Sequence, residues 1–256
     1  GLTSAITPVA GGFLAVWLGW EIVFAVHAAM ALIFFVLIWR SFVETVPVRE
    51  TLARQVAVTR AGIARLVADR TFLSYTASIC FMFGSIFTFI SAGAFMFVDV
   101  LGMAPPHFGF VFTAISGMLA IGSFLAGSLA RRFDRRRMFF TAAVAVAIIN
   151  VAMAVLGWSG AATIPLLIIL LGAIGFAMGF VVALAMAGAL EPHPQVAGTA
   201  SALIGFSQGT FAAAMSAVAG LLFDGTVLSV VLPMAVLALG VPLSFVLLAQ
   251  RRMAAD

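Results

Sequence analysis

The residues that could carry out chemistry in this sequence are few, and most of them lie at the predicted ends of helices. Glu21, Asp99 and Asp224 lie at ends predicted to be outer, and Glu191 lies at an inner end. We interpret each as a carboxylate that is solvated at an interface or caps a helix. His27 is the one ionisable residue inside a predicted apolar helix. A histidine there could relay protons, but with no acidic residue nearby a purely structural role is favoured.

Signs of catalysis are absent from the sequence. We find no Ser-His-Asp set, no cluster of metal ligands and no phosphate-binding loop. The single cysteine, Cys80, excludes an internal disulfide and a metal site built from cysteines. The sequence therefore predicts neither an enzyme nor a cofactor.

A set of soft and mildly polar residues is better suited to binding than to catalysis. Its members are Tyr75, Ser78, Met82, Ser85 and Phe89 on one predicted helix, Met178 on another, and Gln208 and Phe211 on a third. An apolar, aromatic surface with methionines, scattered hydroxyls and one amide suits many lipophilic ligands. We predict that these residues line a substrate cavity. For any one of them, packing in the protein core is the alternative.

The amino-acid composition indicates what class of protein contains these residues. Of the 256 residues, 64% are hydrophobic and only 9% are charged, whereas soluble domains carry about 25% charged residues. That excludes soluble enzymes and nucleic-acid-binding modules, so no nucleic acid is expected as a partner. The chain is predicted to be an integral membrane protein that is in contact with the lipid bilayer.

Long segments without Asp, Glu or Arg predict eight membrane-spanning helices. A helix needs roughly 20 apolar residues to cross the hydrocarbon core. The predicted spans are 1–19, 22–39, 73–97, 108–130, 138–157, 164–189, 197–222 and 227–249. The fifth and sixth come from one long charge-free segment, which Gly157, Gly160 and Pro165 divide. The predicted fold class is an all-α bundle.

The basic residues predict the orientation of the bundle. All thirteen are arginine, and they fall in 40–70, in 131–137 and at the C-terminus. Every second connection between the predicted spans contains arginines, as the positive-inside rule requires, with the connection 190–196 as the exception. We therefore expect the arginine-rich connections and the C-terminus to face the cytoplasm. The segment 40–71 contains Leu52, Val56 and Leu66 at helical spacing, which predicts an amphipathic helix at the interface. A solvated linker is the alternative.

Small residues form two stripes. One is Gly172, Gly175 and Gly179 in the sixth span. The other repeats every four residues in the seventh span and consists of Ala197, Ser201, Gly205, Gly209, Ala213 and Ala217. Membrane helices approach closely where small residues meet. Plain packing is the favoured interpretation, and sliding of helices during a transport cycle is the alternative.

Several strings in the sequence resemble motifs of one transporter family. Residues 5–12 (AITPVAGG) resemble the end of the GPxxGG motif on the fifth helix of drug:proton antiporters of the major facilitator superfamily. Residues 20–24 (WEIVF) and 42–47 (FVETVP) are similar to the flanks of its sixth helix. Residues 102–109 (GMAPPHFG) and 197–203 (AGTASAL) are similar to the bicyclomycin- and chloramphenicol-resistance branch.

The resemblance implies that the eight spans are helices five to twelve of a twelve-helix transporter. Residues 1–39 would then be the last two helices of the N-terminal half, 40–71 the linker and 72–256 the complete C-terminal half. Helices one to four of the same protein would be missing, and with them the acidic residues that couple protons. Pro8, Gly11 and Gly12 would carry the antiporter motif and assist gating.

One cytoplasmic loop departs from the superfamily's pattern. Gly127, Arg132, Arg135 and Arg136 fit the GxxxDRxGRR motif. Arginine stands at position 131, where the motif has aspartate, so the acidic partner of its charge network is an open question.

The function implied by the resemblance is proton-coupled efflux of lipophilic or cationic drugs across a bacterial inner membrane by alternating access. A symporter or facilitator of a small metabolite is one alternative, and a non-transporting receptor or assembly protein is another. Since half of the substrate cavity would be absent, we expect that the 256 residues alone do not transport.

Overall fold

The computed structural model describes residues 20–41 and 52–249. Within these ranges the chain is helical and has no strand, which confirms the all-α prediction. The helices are α1 Trp20–Ser41, α2 Leu52–Ala68, α3 Arg70–Phe95, α4 Phe108–Leu129, α5 Arg135–Ser159, α6 Ile164–Leu190, α7 Ala197–Leu222 and α8 Leu228–Ala249.

Seven of these helices, all except α2, are long and apolar enough to cross a membrane. They correspond to seven of the eight predicted spans, and the eighth, 1–19, lies outside the described residues. The predicted ends are close to those observed. One difference is that α5 continues past 157 to Ser159, because Gly160 rather than Gly157 adopts the left-handed conformation that ends the helix, with φ of 69°.

The helices from α3 to α8 form one packed bundle. Helix α3 lies at its centre and packs against α6, α7 and α8, whereas α5 packs against α6 and α8. Helix α4 lies along α6, where glycines bring the two backbones together. A Cβ atom at Gly175 would lie 2.3 Å from the carbonyl oxygen of Ile115, and one at Gly179 would lie 2.4 Å from that of Leu119. Only glycine permits this approach.

Helix α2 occupies most of the segment that was predicted to link two halves. Leu66 is fully buried, whereas Ile63 and Val67 are exposed. Gly62 lies against Val196, just before α7. The segment therefore contains the predicted helix, and one edge of that helix packs on the bundle. Its place at a membrane interface stays a prediction.

Candidate functional site

A cavity of about 690 Å³ lies between α3 and α7. Helix α3 contributes Phe83, Phe87 and Ser91. Helix α7 contributes the amide of Gln208 and a series of small residues, which are Gly209, Ala212, Ala213, Ser216, Ala217 and Gly220. The small residues explain why there is space here, because their short side chains leave a gap between the backbone of α7 and the two phenylalanine rings of α3. The cavity can hold an apolar or aromatic ligand and offers it one amide group.

Gln208 is the most polar group of this cavity. It lies at the middle of α7 and is half-buried. Its amide makes no hydrogen bond to any other residue in the described part of the chain. An amide in apolar surroundings is costly unless it is paired. Gln208 is therefore available to bind water or a ligand in the cavity.

Phe211 lies beside the cavity rather than in its wall. Its ring contacts Phe81 edge to face, with centroids 5.3 Å apart. Gly84 provides the room, because a Cβ atom there would lie 2.7 Å from the Phe211 ring. The two predicted residues of α7 thus lie within one turn of each other at the α3–α7 contact.

Four predicted residues of α3 face the interior of the bundle instead. Ser78, Met82, Ser85 and Phe89 are all almost completely buried. The Ser85 hydroxyl donates to the carbonyl of Met234 at 3.0 Å, and the Ser78 hydroxyl lies 3.0 Å from the carbonyl oxygen of Val241. These bonds tie α3 to α8. The prediction that these residues contact substrate stays a prediction, and the geometry gives them a structural role.

The last two predicted cavity residues also lie in the interior. Tyr75 packs edge to face on Phe139, with centroids 5.1 Å apart, and its ring is tilted against that of Phe245, with centroids 5.2 Å apart. Met178 is buried on α6. Of the eight candidates, the structure brings Gln208 and Phe211 to the α3–α7 cavity and its edge, and it places the other six inside the bundle.

Comparison with known proteins gives the family. The model of the Major Facilitator Superfamily matches residues 1–217. The chain belongs to the Major Facilitator Superfamily. It is thus a multi-pass membrane protein of a transporter family, in agreement with the resemblance of its motifs.

Curated relatives of the superfamily are about equally distant from this chain. A bicyclomycin resistance protein homolog of Haemophilus influenzae is 26% identical over 80% of this chain and 51% of its own length. The uncharacterized MFS-type transporter YdgK of Bacillus subtilis is 26% identical over 78% and 50%, respectively. The multidrug resistance protein MdtL of Salmonella typhimurium is 26% identical over 81% and 51%. The chain therefore spans about half the length of these relatives.

The residues predicted to carry the superfamily's loop motif lie at the end of α4, in the turn that follows it and in the first turn of α5. Gly127 and Arg132 are exposed. Arg135 donates two hydrogen bonds to the carboxylate of Glu191, at 2.8 and 3.1 Å, and the Arg136 guanidinium lies 5.5 Å from the centre of the Phe245 ring. Glu191 thus supplies an acidic partner that the motif lacks at position 131. The sequence placed Glu191 at an interface and did not predict this pairing.

A second polar contact lies where α2 meets α3 and was not predicted. The Asp69 carboxylate accepts the N–H of Thr71 at 2.8 Å and so caps α3. Its other oxygen lies 2.8 Å from Nε2 of His193, which is almost fully buried in the connection before α7. Burial acts to raise the pKa of Asp69, but the hydrogen bonds and the imidazole outweigh it and leave that pKa below its ordinary value. The contact fastens the start of α3 to the start of α7.

Sequence patterns could not have selected the correct face of α3. Phe83, Phe87 and Ser91 follow one another at intervals of four, as do residues of the opposite face. Because α3 carries hydroxyl groups on both faces, with Ser78 and Ser85 in the interior and Ser91 at the cavity, their spacing does not distinguish the cavity from the interior. The proposed antiporter residues Pro8, Gly11 and Gly12 lie outside the described residues.

Proposed function

We propose that the protein exports lipophilic or cationic drugs in exchange for protons, by alternating access. The observation that carries the proposal is the α3–α7 cavity, in which the Gln208 amide lies among aromatic rings and small residues and has no hydrogen-bond partner among the described residues. The names of two of the relatives, for bicyclomycin and for multidrug resistance, agree with it.

The chemistry of the cavity suits substrates of varied shape. The rings of Phe83 and Phe87 offer flat apolar surfaces and attract cations placed over their faces. Gln208 can both donate and accept a hydrogen bond. No charged residue lines the cavity within the described part of the chain, so the cavity does not depend on one arrangement of substrate charges.

The exposed stripe of α7 fits the rocking of two halves. From Ser201 to Ala217 its small residues lie on the surface of the bundle. In transporters built from two halves, the substrate binds between the halves near the bilayer midplane. We place the N-terminal half against this face, with residues 1–39 belonging to it. Pro8, Gly11 and Gly12 would assist gating, and the proton-carrying carboxylate would lie in helices one to four.

The proposed location is a bacterial inner membrane, with the C-terminus in the cytoplasm. The alternation of the arginine-rich connections supports this orientation. Glu191 lies with Arg135 on the side predicted to be cytoplasmic, and Asp224 lies in the α7–α8 connection on the opposite side.

Transport by the full-length protein in inverted membrane vesicles tests the proposal. With a proton gradient applied, we expect uptake of the lipophilic cation tetraphenylphosphonium that collapses on adding a protonophore. Gln208→Leu should lower this uptake, whereas Thr210→Val, an exposed neighbour on α7, should leave it unchanged. Release of a preloaded small metabolite from the same vesicles under this gradient, without uptake of any drug, would replace the proposal with a symporter. No transport of either kind would indicate a receptor.

A further inference from the structure

A second large cavity lies on another side of the bundle. It is a groove of about 670 Å³ between α4, α5 and α6. Helices α4 and α5 both pack along α6 but barely touch each other, and this leaves the groove open. Its inner walls are formed by Met118, Met138, Ala145, Ile149, Ala173 and Phe176. The inside of the groove is therefore apolar.

The mouth of the groove is basic. It lies at the first turn of α5 and contains Arg137, with Asp134 and Phe133 beside it. Consecutive residues of a helix point about 100° apart, so the three arginines in a row point to different partners. Arg135 binds Glu191 and Arg136 lies over Phe245. Arg137 makes no ion pair with any described residue.

The carboxylate at the mouth does not neutralise Arg137. Asp134 accepts the backbone N–H of Arg137 at 2.7 Å and so caps α5. Asp134 is also the one acidic residue in the segment 131–137, which contains five arginines. The mouth therefore keeps an excess of positive charge, and the guanidinium of Arg137 remains free to bind an anion.

The surface around the groove is suited to lipid rather than to another helix. The exposed faces of α4, α5 and α6 carry bulky apolar side chains, including Phe124 (75% exposed), Ile148 (63%) and Ile169 (67%). Between Ser201 and Ala217 the exposed residues of α7 are small, with the exception of Phe206 (72% exposed), as in helix-packing surfaces. The groove thus opens on the side that faces hydrocarbon.

We propose that this groove binds one anionic phospholipid, with its phosphate against Arg137 and an acyl chain along the apolar wall. The 12 steps along the helix from Arg137 to Ile149 rise about 18 Å, close to the thickness of one leaflet, which is about half of the roughly 30 Å hydrocarbon core. Basic pockets between membrane helices are known to hold anionic headgroups. A lipophilic cation would meet a like charge at the mouth, and a free phosphate would leave the apolar groove unfilled.

This site is separate from the proposed substrate cavity and does not depend on transport. It shares no residue with the α3–α7 cavity. The bound lipid would fill the groove between α4, α5 and α6, and we expect it to stabilise the folded bundle.

Counting bound lipids by native mass spectrometry tests the headgroup contact. The purified protein is mixed with phosphatidylglycerol or with phosphatidylcholine of the same chains. We expect tighter binding of phosphatidylglycerol, and Arg137→Gln should weaken it about five-fold, the effect of one basic residue at a membrane surface. Arg131→Gln is the matched control, because Arg131 is an exposed arginine outside the groove lining, and it should weaken binding much less since its charge acts only from a distance. Equal binding of the two lipids, or equal losses in both variants, would overturn the proposal.

The acyl-chain contact is tested on the unaltered protein. A phosphatidylglycerol with a photoreactive group near the end of one chain is bound and irradiated, and the labelled residues are mapped. We expect labels at Ile149, Ala173 and Phe176. Labels spread evenly over exposed residues such as Phe124 and Ile169 would mean that the groove holds no particular lipid. Ala145→Phe, which narrows the groove, should remove the specific labels, whereas Ile148→Phe on the outer face of α5 should keep them.

Discussion

Two helices of the bundle carry stripes of small residues that look alike in the sequence but serve different surfaces. In α6, Gly172, Gly175 and Gly179 are buried. The backbone of α4 lies so close to the last two that a Cβ atom would clash with it. In α7 the stripe is exposed from Ser201 to Ala217, and nothing lies within 4 Å of a Cβ atom built at Gly205 or Gly209.

The difference shows what a stripe of small residues predicts. It indicates that a helix can be approached closely, but not what approaches it. In α6 the approaching element is α4, so the stripe is fully explained within the bundle. In α7 the stripe borders the cavity that contains Gln208. We therefore expect substitutions in α6 to affect folding and substitutions in α7 to affect transport.

The largest expected effect comes from adding bulk to the α6 stripe. In Gly175→Val the new side chain would meet the carbonyl of Ile115, and we expect a loss of stability of about 3 kcal/mol or more, since overpacking already costs 1–3 kcal/mol where atoms can shift. Gly205→Val, on the open stripe of α7, is the control: no described residue lies within 4 Å of the new Cβ atom, so its loss of stability should be much smaller than that of Gly175→Val. Thermal unfolding in detergent measures both. Equal losses in the two variants would break the comparison.

Bulk in the α3–α7 cavity should impair transport without unfolding. Ala213→Phe fills space beside Gln208, and we expect drug efflux by the full-length protein to fall about tenfold, equivalent to about 1.4 kcal/mol of binding. Ala214→Phe adds the same ring one position along, outside the cavity wall, and should keep efflux. Similar efflux in both variants would show that substrates do not use this cavity.

The contact that fastens the start of α7 should give a smaller, pH-dependent effect. Asp69→Ala removes the cap of α3 and should cost about 1 kcal/mol. Asp69→Asn keeps a capping oxygen and removes the charge. Because the pKa of Asp69 is lowered in the folded state, its charge stabilises the fold above its ordinary pKa near 3.8, and this stabilisation is lost as the pH falls through the folded-state value.

Unfolding measured from neutral to acidic pH separates the two contributions of Asp69. The unmodified protein should lose its advantage over Asp69→Asn as the pH falls below 3.8. Asp69→Ala should stay less stable than Asp69→Asn throughout. A constant difference between the unmodified protein and Asp69→Asn across this range would show that the charge contributes nothing.

The smallest expected effect concerns the interior face of α3. Ser85→Ala removes one hydrogen bond to Met234, and hydrogen bonds between membrane helices contribute about 0.6 kcal/mol on average. We expect a slight loss of stability and unchanged drug affinity, in contrast to Gln208→Leu. A lower drug affinity with unchanged stability would restore Ser85 to the substrate path that the sequence predicted.

The sequence predicted the helices well because their cause is local. A charge-free segment of 20 or more residues is enough to define a span, and seven of them match described helices. Contacts between distant segments were not predictable in the same way. The pairing of Arg135 with Glu191 and of Asp69 with His193 joins residues far apart in the chain. The orientation of α3 depends on which neighbours bury each face, and a helix with aromatic and hydroxyl side chains on both faces gives no such signal.

The most direct test of the substrate cavity is protection of a cysteine placed in it. Cys80 is the single cysteine of the 256 residues, so Cys80→Ser, together with replacement of any cysteine in the rest of the full-length protein, provides a background free of cysteine for Gly209→Cys. We predict that a water-soluble maleimide labels this cysteine and that tetraphenylphosphonium slows the labelling several-fold. Ser128→Cys, exposed near the end of α4, should be labelled at one rate throughout. Labelling at Gly209→Cys that no transported drug slows would contradict the account.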